Sequence, residues 1–234
     1  MVPKAPELYL HPPGRRQIVM PKNTLTNYSN NSRGGWGHQL RWGEREVRIM
    51  IMFQNMRVMV NESDQSSQHK LDTLKKTMIN EGISIIGLAE VNSNWSKIPI
   101  RENIYNRTEG WFKTRSISTI YNRVAISGGT FQSGGTAIMA VDGVSCRSIG
   151  TGQEFRNLGC WPWMLLQGNK NMRTRIITAY CPTASASSGG AYSQQIEALA
   201  IMKLQNDPRT QFWIDLNKLI SKWIHQGEKI IRMG

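Results

Sequence analysis

The chain has 234 residues, of which 39% are hydrophobic, which is enough for one domain of ordinary size with a buried core. Its mean hydropathy of -0.41 and the lack of a long apolar run predict no membrane-spanning helix. The formal net charge is +13, from 29 Lys and Arg against 16 Asp and Glu. Such an excess favours polyanionic partners, above all nucleic acid, although many basic domains are merely soluble.

Three cysteines, Cys146, Cys160 and Cys181, form neither a closely spaced pair nor an even set. This pattern argues against a disulfide framework or a zinc site and favours reduced, intracellular chemistry. The residues after Met1 do not resemble a secretory signal, because proline and charged residues interrupt every apolar stretch. We therefore expect an intracellular protein, with the nucleus as one candidate compartment.

The beginning of the chain differs in composition from the rest. Residues 1–45 are rich in Pro, Asn, Ser and Gly and have no sustained periodicity, which predicts a flexible basic leader. Within it, Trp36 and Trp42 are candidate aromatic contacts for nucleic acid. We expect one folded domain over residues 46–234.

The domain is predicted to begin with a strand, a helix and a second strand. The run 47–53 alternates and then becomes apolar, which predicts a strand that ends at Asn55. Ser66 and Ser67 are candidate caps for the helix that follows. Its apolar face is formed by residues at helical spacing: Leu71, Leu74 and Met78. The run 83–89 is rich in β-branched residues and predicts a buried strand.

Glu90 follows this buried strand directly and is the most informative residue of the chain. Burying a carboxylate without a partner costs several kcal/mol of free energy, so the position of Glu90 suggests that a cation or a substrate binds there. Asn55 has the equivalent position at the end of the preceding strand, and Tyr180 ends another apolar run. In βαβ units, functional side chains lie beyond the carboxyl ends of strands. The alternatives are a glutamate that faces water, a turn amide and a packed aromatic with a satisfied hydroxyl.

The rest of the chain is predicted to contain strands first and helices later. Strands are expected over 137–141 and 161–166, with a turn at Asp142 and Gly143. Two helical patterns cover about 192–203 and 210–225. A final strand is predicted over Lys229–Met233.

Four ordered pieces over 47–234 resemble the endonuclease/exonuclease/phosphatase superfamily, most closely its abasic-site endonucleases and non-LTR retrotransposon endonucleases. The pieces are Asn55, Glu90 within 87–92, the Gly134-Gly135-Thr136 turn, and Tyr180 within 178–182. The resemblance implies an α/β (α+β) fold, a four-layered sandwich of two mixed β-sheets flanked by helices. It also implies that Glu90 and Asn55 bind Mg²⁺ or Mn²⁺ and that Tyr180 contacts the phosphate. DNA is the implied substrate.

The sequence departs from the superfamily pattern at Gly234. In the superfamily, the matching strand leads into Gly-Asp-x-Asn, and a Ser-Asp-His segment follows later, but the sequence stops at the first Gly. We therefore expect a C-terminally truncated, retroelement-derived member with weak or absent hydrolase activity. The alternatives are a basic nucleic-acid-binding remnant without catalysis and a relative of the inositol or lipid phosphatases.

Overall fold

A computed structural model of the protein describes residues 49–57, 59, 65–124, 128–185 and 189–234. All of them fall within one contact unit, Val47–Gly234. The predicted leader over 1–45, with Trp36 and Trp42, lies outside the described residues. In the described part, no helix combines the length and the hydrophobicity that crossing a membrane requires.

The first sheet begins with the predicted strand, helix and strand. Strand β1 (Met50–Asn55) pairs in parallel with β2 (Ile83–Ala89), and helix α1 (Gln65–Asn80) connects them. The apolar face of α1 is buried in the core, as its spacing predicts: Leu71, Leu74 and Met78. The prediction of Ser66 and Ser67 as caps is wrong, because both residues lie inside the first turn of α1.

Two antiparallel strands complete this sheet in the order β1-β2-β4-β3. A 3-10 turn (Ile100–Glu102) and the short helix α2 (Ile104–Arg107) precede strand β3 (Arg115–Ile120), and β4 (Thr136–Val141) follows. The predicted turn after β4 is instead the start of a short helix, α3 (Asp142–Ser145). Asp142 adopts a φ of 47°, and its Oδ1 accepts a hydrogen bond from the Lys113 amide at 3.1 Å, which favours this tighter connection.

The second sheet has the order β5-β6-β7-β8. Its strands are β5 (Ser148–Gln153), β6 (Pro162–Gln167), β7 (Arg173–Thr178) and β8 (Lys229–Met233), with a 3-10 turn (Asn169–Asn171) before β7. Strands β7 and β8 are parallel, and α4 (Ala191–Ile201) and α5 (Pro208–His225) connect them. Asp207 caps α5 by accepting hydrogen bonds from the Arg209 and Thr210 amides.

The two sheets pack against each other through a shared apolar core. That core combines residues of both sheets: Ile85, Ile138, Ala140, Met164, Leu166, Ile176 and Met233. A Cβ atom on Gly87 would lie only 2.5 Å from Thr178 Oγ1, so glycine permits this close approach. Helix α1 covers the other face of the first sheet, and α4 and α5 cover that of the second. The predicted four layers with two mixed sheets are confirmed.

Three acidic residues are buried on the side of the second sheet that α5 covers, and we call them the helix-side acids: Glu154, Asp215 and Glu228. Glu228 accepts two hydrogen bonds from Arg175, at 2.6 and 2.9 Å. The Arg175 guanidinium also lies over the rings of Trp163 and Trp223, 4.0 and 4.3 Å from their centroids. Such stacking suits a planar, weakly hydrated cation that is removed from water.

The other two helix-side acids are also satisfied. Asp215 accepts hydrogen bonds from Arg156 at 2.5 and 3.1 Å and from Gln211 at 2.9 Å. Glu154 accepts one from the Cys160 amide at 2.6 Å. Burial, partly opposed by hydrogen bonds from the Cys160, Gly159 and Leu158 amides, raises the pKa of Glu154 from 4.5 to about 7.

Candidate active site at the strand ends

The two parallel strand pairs, one in each sheet, bring the chemically interesting residues to one edge of the molecule. Asn55 lies opposite Ala89 in the β1–β2 register, so the ends of these two strands coincide. In the second sheet, Thr178 lies opposite Met233, so β7 and β8 also end together. The two edges adjoin, because a Cβ on Gly234 would lie 3.2 Å from Phe53 Cε2 of β1.

Glu90 and Tyr180 meet at this edge, where both side chains are half-buried. The Tyr180 hydroxyl lies close enough to the Glu90 carboxylate for the two groups to interact. Burial and the neighbouring Glu90 carboxylate together raise the pKa of Tyr180 well above 10. The phenol is therefore neutral at physiological pH and acts as a hydrogen-bond donor.

Glu90 itself has an uncommon backbone conformation, with a φ of 50°. Left-handed backbone is unfavourable for residues other than Gly, Asn and Asp, so the surrounding structure must hold Glu90 in this state. Within the described part of the chain, no cationic side chain lies within ion-pair distance of its carboxylate. The carboxylate thus combines a constrained backbone with a neutral phenol as its neighbour.

Asn55 is exposed at the end of β1, on the strand next to Glu90. Its Oδ1 accepts a hydrogen bond from the Arg57 amide at 3.0 Å, which fixes the amide plane at the turn. Among the described contacts, no hydrogen bond joins Asn55 directly to Glu90 or Tyr180. The structure therefore brings Glu90 and Tyr180 into contact and places Asn55 beside them.

Asn92 organises this edge and was not predicted from the sequence. Its Nδ2 donates to the Arg57 carbonyl at 3.1 Å, and its Oδ1 accepts from the Gly134 amide at 2.7 Å. It also adopts a φ of 50°. One side chain thereby ties the turn after β1 to the Gly134-Gly135 turn before β4. The signal that could have identified it is an asparagine, which tolerates left-handed backbone, two residues after Glu90.

The Gly134-Gly135 turn supports Tyr180 directly. Both glycines have positive φ, 84° and 79°, and a Cβ on Gly134 would lie 3.7 Å from Tyr180 Cε1. On the other side, the Tyr180 amide donates to the Cys160 carbonyl at 2.8 Å. The glycine turn noted in the sequence therefore has a structural role as a support for the tyrosine. We call Asn55, Glu90, Asn92 and Tyr180 the strand-end site.

Two cationic residues adjoin the strand-end site. Arg57 follows Asn55 by two positions and is exposed. Arg209, at the start of α5, lies near Cys181, the neighbour of Tyr180, and its positive charge favours the thiolate form of Cys181. The described residues contain no group of three or more His, Cys, Asp or Glu side chains arranged to hold a metal ion. The arrangement offers one carboxylate, an amide and a phenol, with positive charge nearby.

Comparisons with solved structures find similarity to members of the endonuclease/exonuclease/phosphatase superfamily, which the sequence resembles. A 3′–5′ exonuclease from Neisseria meningitidis has 13% identity and a TM-score of 0.46 over 79% of this chain and 56% of that chain. A superfamily protein from Leptotrichia buccalis has 9% identity and a TM-score of 0.43, over 68% and 64%. An AP endonuclease from Archaeoglobus fulgidus has 15% identity and a TM-score of 0.36, over 66% and 49%.

The chain thus spans between 49% and 64% of the length of these three proteins. No protein-family model and no curated protein sequence matches it. These similarities concern the fold alone.

Proposed function

We propose that the strand-end site hydrolyses phosphodiester bonds in nucleic acid, with DNA as the substrate and Mg²⁺ or Mn²⁺ as the cofactor. The observation that carries the proposal is the approach of the Tyr180 phenol to the Glu90 carboxylate at the shared edge of the two sheets. It holds a carboxylate and a neutral phenol together in a chain of net charge +13. A phosphate diester is an anion. It suits a site that has a carboxylate to bind a cation, a hydroxyl to donate a hydrogen bond, and a positively charged surrounding chain.

The donor set fits a hard divalent ion. Glu90 supplies carboxylate oxygens and Asn55 an amide oxygen, which are ligands that Mg²⁺ and Mn²⁺ accept. Mg²⁺ commonly keeps several waters and binds through one or two carboxylates plus substrate phosphates, so a small set suffices. When bound, the ion would neutralise charge on the non-bridging oxygens of the phosphate.

The protein residues have separate roles in this proposal. Glu90 binds the ion, and Asn55 orients a water molecule or a phosphate oxygen beside it. The Tyr180 hydroxyl, which lies beside Glu90 in the free protein, donates a hydrogen bond to a phosphate oxygen when substrate enters. Asn92 is a positioning residue, because it fixes the turns on both sides of Glu90.

We also propose that hydrolysis is slow. Among the four residues of the strand-end site, only Glu90 carries a carboxylate, and the bound ion would occupy it. The absence of a positioned general acid or base typically costs a factor of about 10² to 10⁴ in rate. The second candidate function, nucleic-acid binding without catalysis, is favoured by this single carboxylate together with the net charge of +13. A retroelement origin is consistent with both candidates.

A plasmid-nicking assay separates the two candidates. We expect the wild-type protein to nick supercoiled DNA slowly with Mg²⁺ and to stop when EDTA is added. Glu90→Gln should lower the rate at least about 100-fold, since it removes the ion's carboxylate ligand. Glu81→Gln is the matched control, because Glu81 is exposed and lies at the opposite end of β2. Nicking that survives Glu90→Gln would contradict the proposed hydrolysis, whereas tight DNA binding without any nicking would support the second candidate.

A further inference from the structure

A second polar cleft lies beside the strand-end site, between the end of β1 and helix α1. Its volume is about 370 Å³. Strand residues at the end of β1 and helix residues from the second turn of α1 onwards form its walls. The residues that matter here are Asn55, Arg57, His69, Lys70, Thr73 and Thr77. Because Asn55 belongs to both, a ligand in the cleft would lie next to a ligand at the strand-end site.

The chemistry of the cleft is that of an anion site. Among the described residues that line it, two are cationic at neutral pH, Arg57 and Lys70, and none is acidic. His69 adds ring nitrogens, and two threonines add hydroxyl donors. Lys70 Nζ donates to the Met56 carbonyl at 3.3 Å, so its ammonium is held at the end of β1. A phosphate group, with several acceptor oxygens, matches such a mixture of cations and hydroxyls.

The position of the cleft identifies which phosphate it would take. Asn55 Oδ1 and the Arg57 amide form a turn at the junction between the two sites. A nucleic-acid strand that places one phosphate against Glu90 therefore has an adjacent part of its backbone close to Arg57 and Lys70. Contacts to backbone phosphates fix the register of a strand without reading its sequence.

We propose that this cleft binds a nucleic-acid backbone phosphate next to the reacting one and so positions the strand at Glu90. The inference rests on the proposed function, since it places the substrate relative to that site. It assigns Lys70 and Arg57 to substrate positioning, and it predicts binding that is insensitive to base sequence and independent of the metal.

The test measures DNA binding in EDTA, so that hydrolysis and metal binding do not contribute. A fluorescently labelled duplex oligonucleotide is titrated at several salt concentrations with wild type, Lys70→Gln and Lys76→Gln. Lys76 is the matched control, because it is exposed on the same helix but does not line the cleft. Each lost phosphate contact should reduce the slope of log K against log salt by about 0.9 in magnitude. We expect this reduction, with about 5-fold to 10-fold weaker binding, for Lys70→Gln only.

A second substitution keeps the test valid if loss of the Lys70–Met56 bond disturbs folding. Thr73→Glu introduces a negative charge at an exposed helix position that lines the cleft. It should weaken binding by at least as much as Lys70→Gln. An unchanged slope in folded Lys70→Gln, or an equal loss in Lys76→Gln, would overturn the proposal, because binding would then depend only on diffuse charge.

The two proposals can fail separately. If the wild type nicks DNA with Mg²⁺ but Lys70→Gln binds as the wild type does, the cleft assignment is wrong and the hydrolytic site stands. If Lys70→Gln lowers the slope but no nicking occurs, the cleft is a backbone-phosphate site and the proposed hydrolysis fails.

Discussion

Carboxylates occupy two contrasting environments in this molecule. The helix-side acids are almost fully buried, and each is matched by an arginine or by backbone amides. Glu90 at the strand-end site is half-buried and lies beside a neutral phenol, and in the described part of the chain no cation lies within ion-pair distance of it. Buried charges that only stabilise a fold need such partners. A carboxylate held in place without one is available to bind a cation.

The largest effect on stability is expected from removing the arginine partner of a buried helix-side acid. Arg175→Met leaves Glu228 buried without its two hydrogen bonds and should lower the free energy of unfolding by about 3 to 5 kcal/mol. Urea denaturation measures the loss. The double variant Arg175→Met/Glu228→Leu is the control and should recover part of it. A double variant as unstable as the sum of the two single variants would contradict the ion-pair explanation.

The next effect concerns Glu154 and depends on pH. Its pKa is 4.5 in the unfolded chain and about 7 in the folded protein, so the folded protein retains a proton that the unfolded chain releases in this window. The contribution of Glu154 to stability is therefore complete below pH 4.5 and falls as pH rises, by on the order of 3 kcal/mol above pH 7.

Urea denaturation of wild type and Glu154→Gln across that window measures this contribution as the difference between the two proteins. We expect the stability of Glu154→Gln relative to wild type to increase as pH rises. A difference that is independent of pH would mean that Glu154 ionises normally in the folded protein.

A smaller effect is expected from Asn92, which joins the turns of the strand-end site. Asn92→Ala removes two side-chain hydrogen bonds and places alanine at a φ of 50°, which should cost about 2 to 3 kcal/mol. Asn92→Gly loses the same bonds but tolerates the backbone, so its loss should be about 1 kcal/mol smaller. Equal losses in the two variants, measured by thermal or urea unfolding, would exclude backbone strain as part of the effect.

The smallest effect on stability is expected from the pair of Tyr180 and Glu90. This pair nevertheless gives the most specific test of the strand-end site. Tyr180→Phe removes a half-buried hydroxyl beside Glu90 and should lower the free energy of unfolding by about 1 kcal/mol or less. In Glu90→Gln the pKa of Tyr180 should fall, although burial keeps it above 10. Tyrosinate absorbance in an alkaline titration, corrected with Tyr180→Phe, measures the shift. An unchanged titration in Glu90→Gln would show that the two side chains do not interact.

Much of the fold could be predicted because its central elements have strong local patterns. Strand β2 is an uninterrupted apolar run and was predicted with its observed bounds, as was β8. Strands β3 and β5 were not predicted individually, since Ser, Thr and Gly in their sequences reflect partial exposure at the sheet borders. Both segments become strands because they pair with β4 and β6, and their own sequences do not predict that pairing.

The candidate site was predictable only in part. Glu90 and Asn55 could be named because each directly follows a recognisable strand, and Tyr180 because it ends an apolar run. The support from Asn92 depends on contacts 35 and 42 residues away along the chain, which no local pattern reveals. The approach of Tyr180 to Glu90 likewise requires both sheets to be packed together.

The most direct test of the central claim is Mn²⁺ binding followed by paramagnetic broadening of backbone amide signals. We predict broadening centred on the ends of β1 and β2, at Asn55 and at Glu90–Asn92, that disappears in Glu90→Gln and persists in Glu81→Gln. Broadening that is centred elsewhere, or that Glu90→Gln leaves intact, would contradict the assignment of Glu90 as the metal ligand.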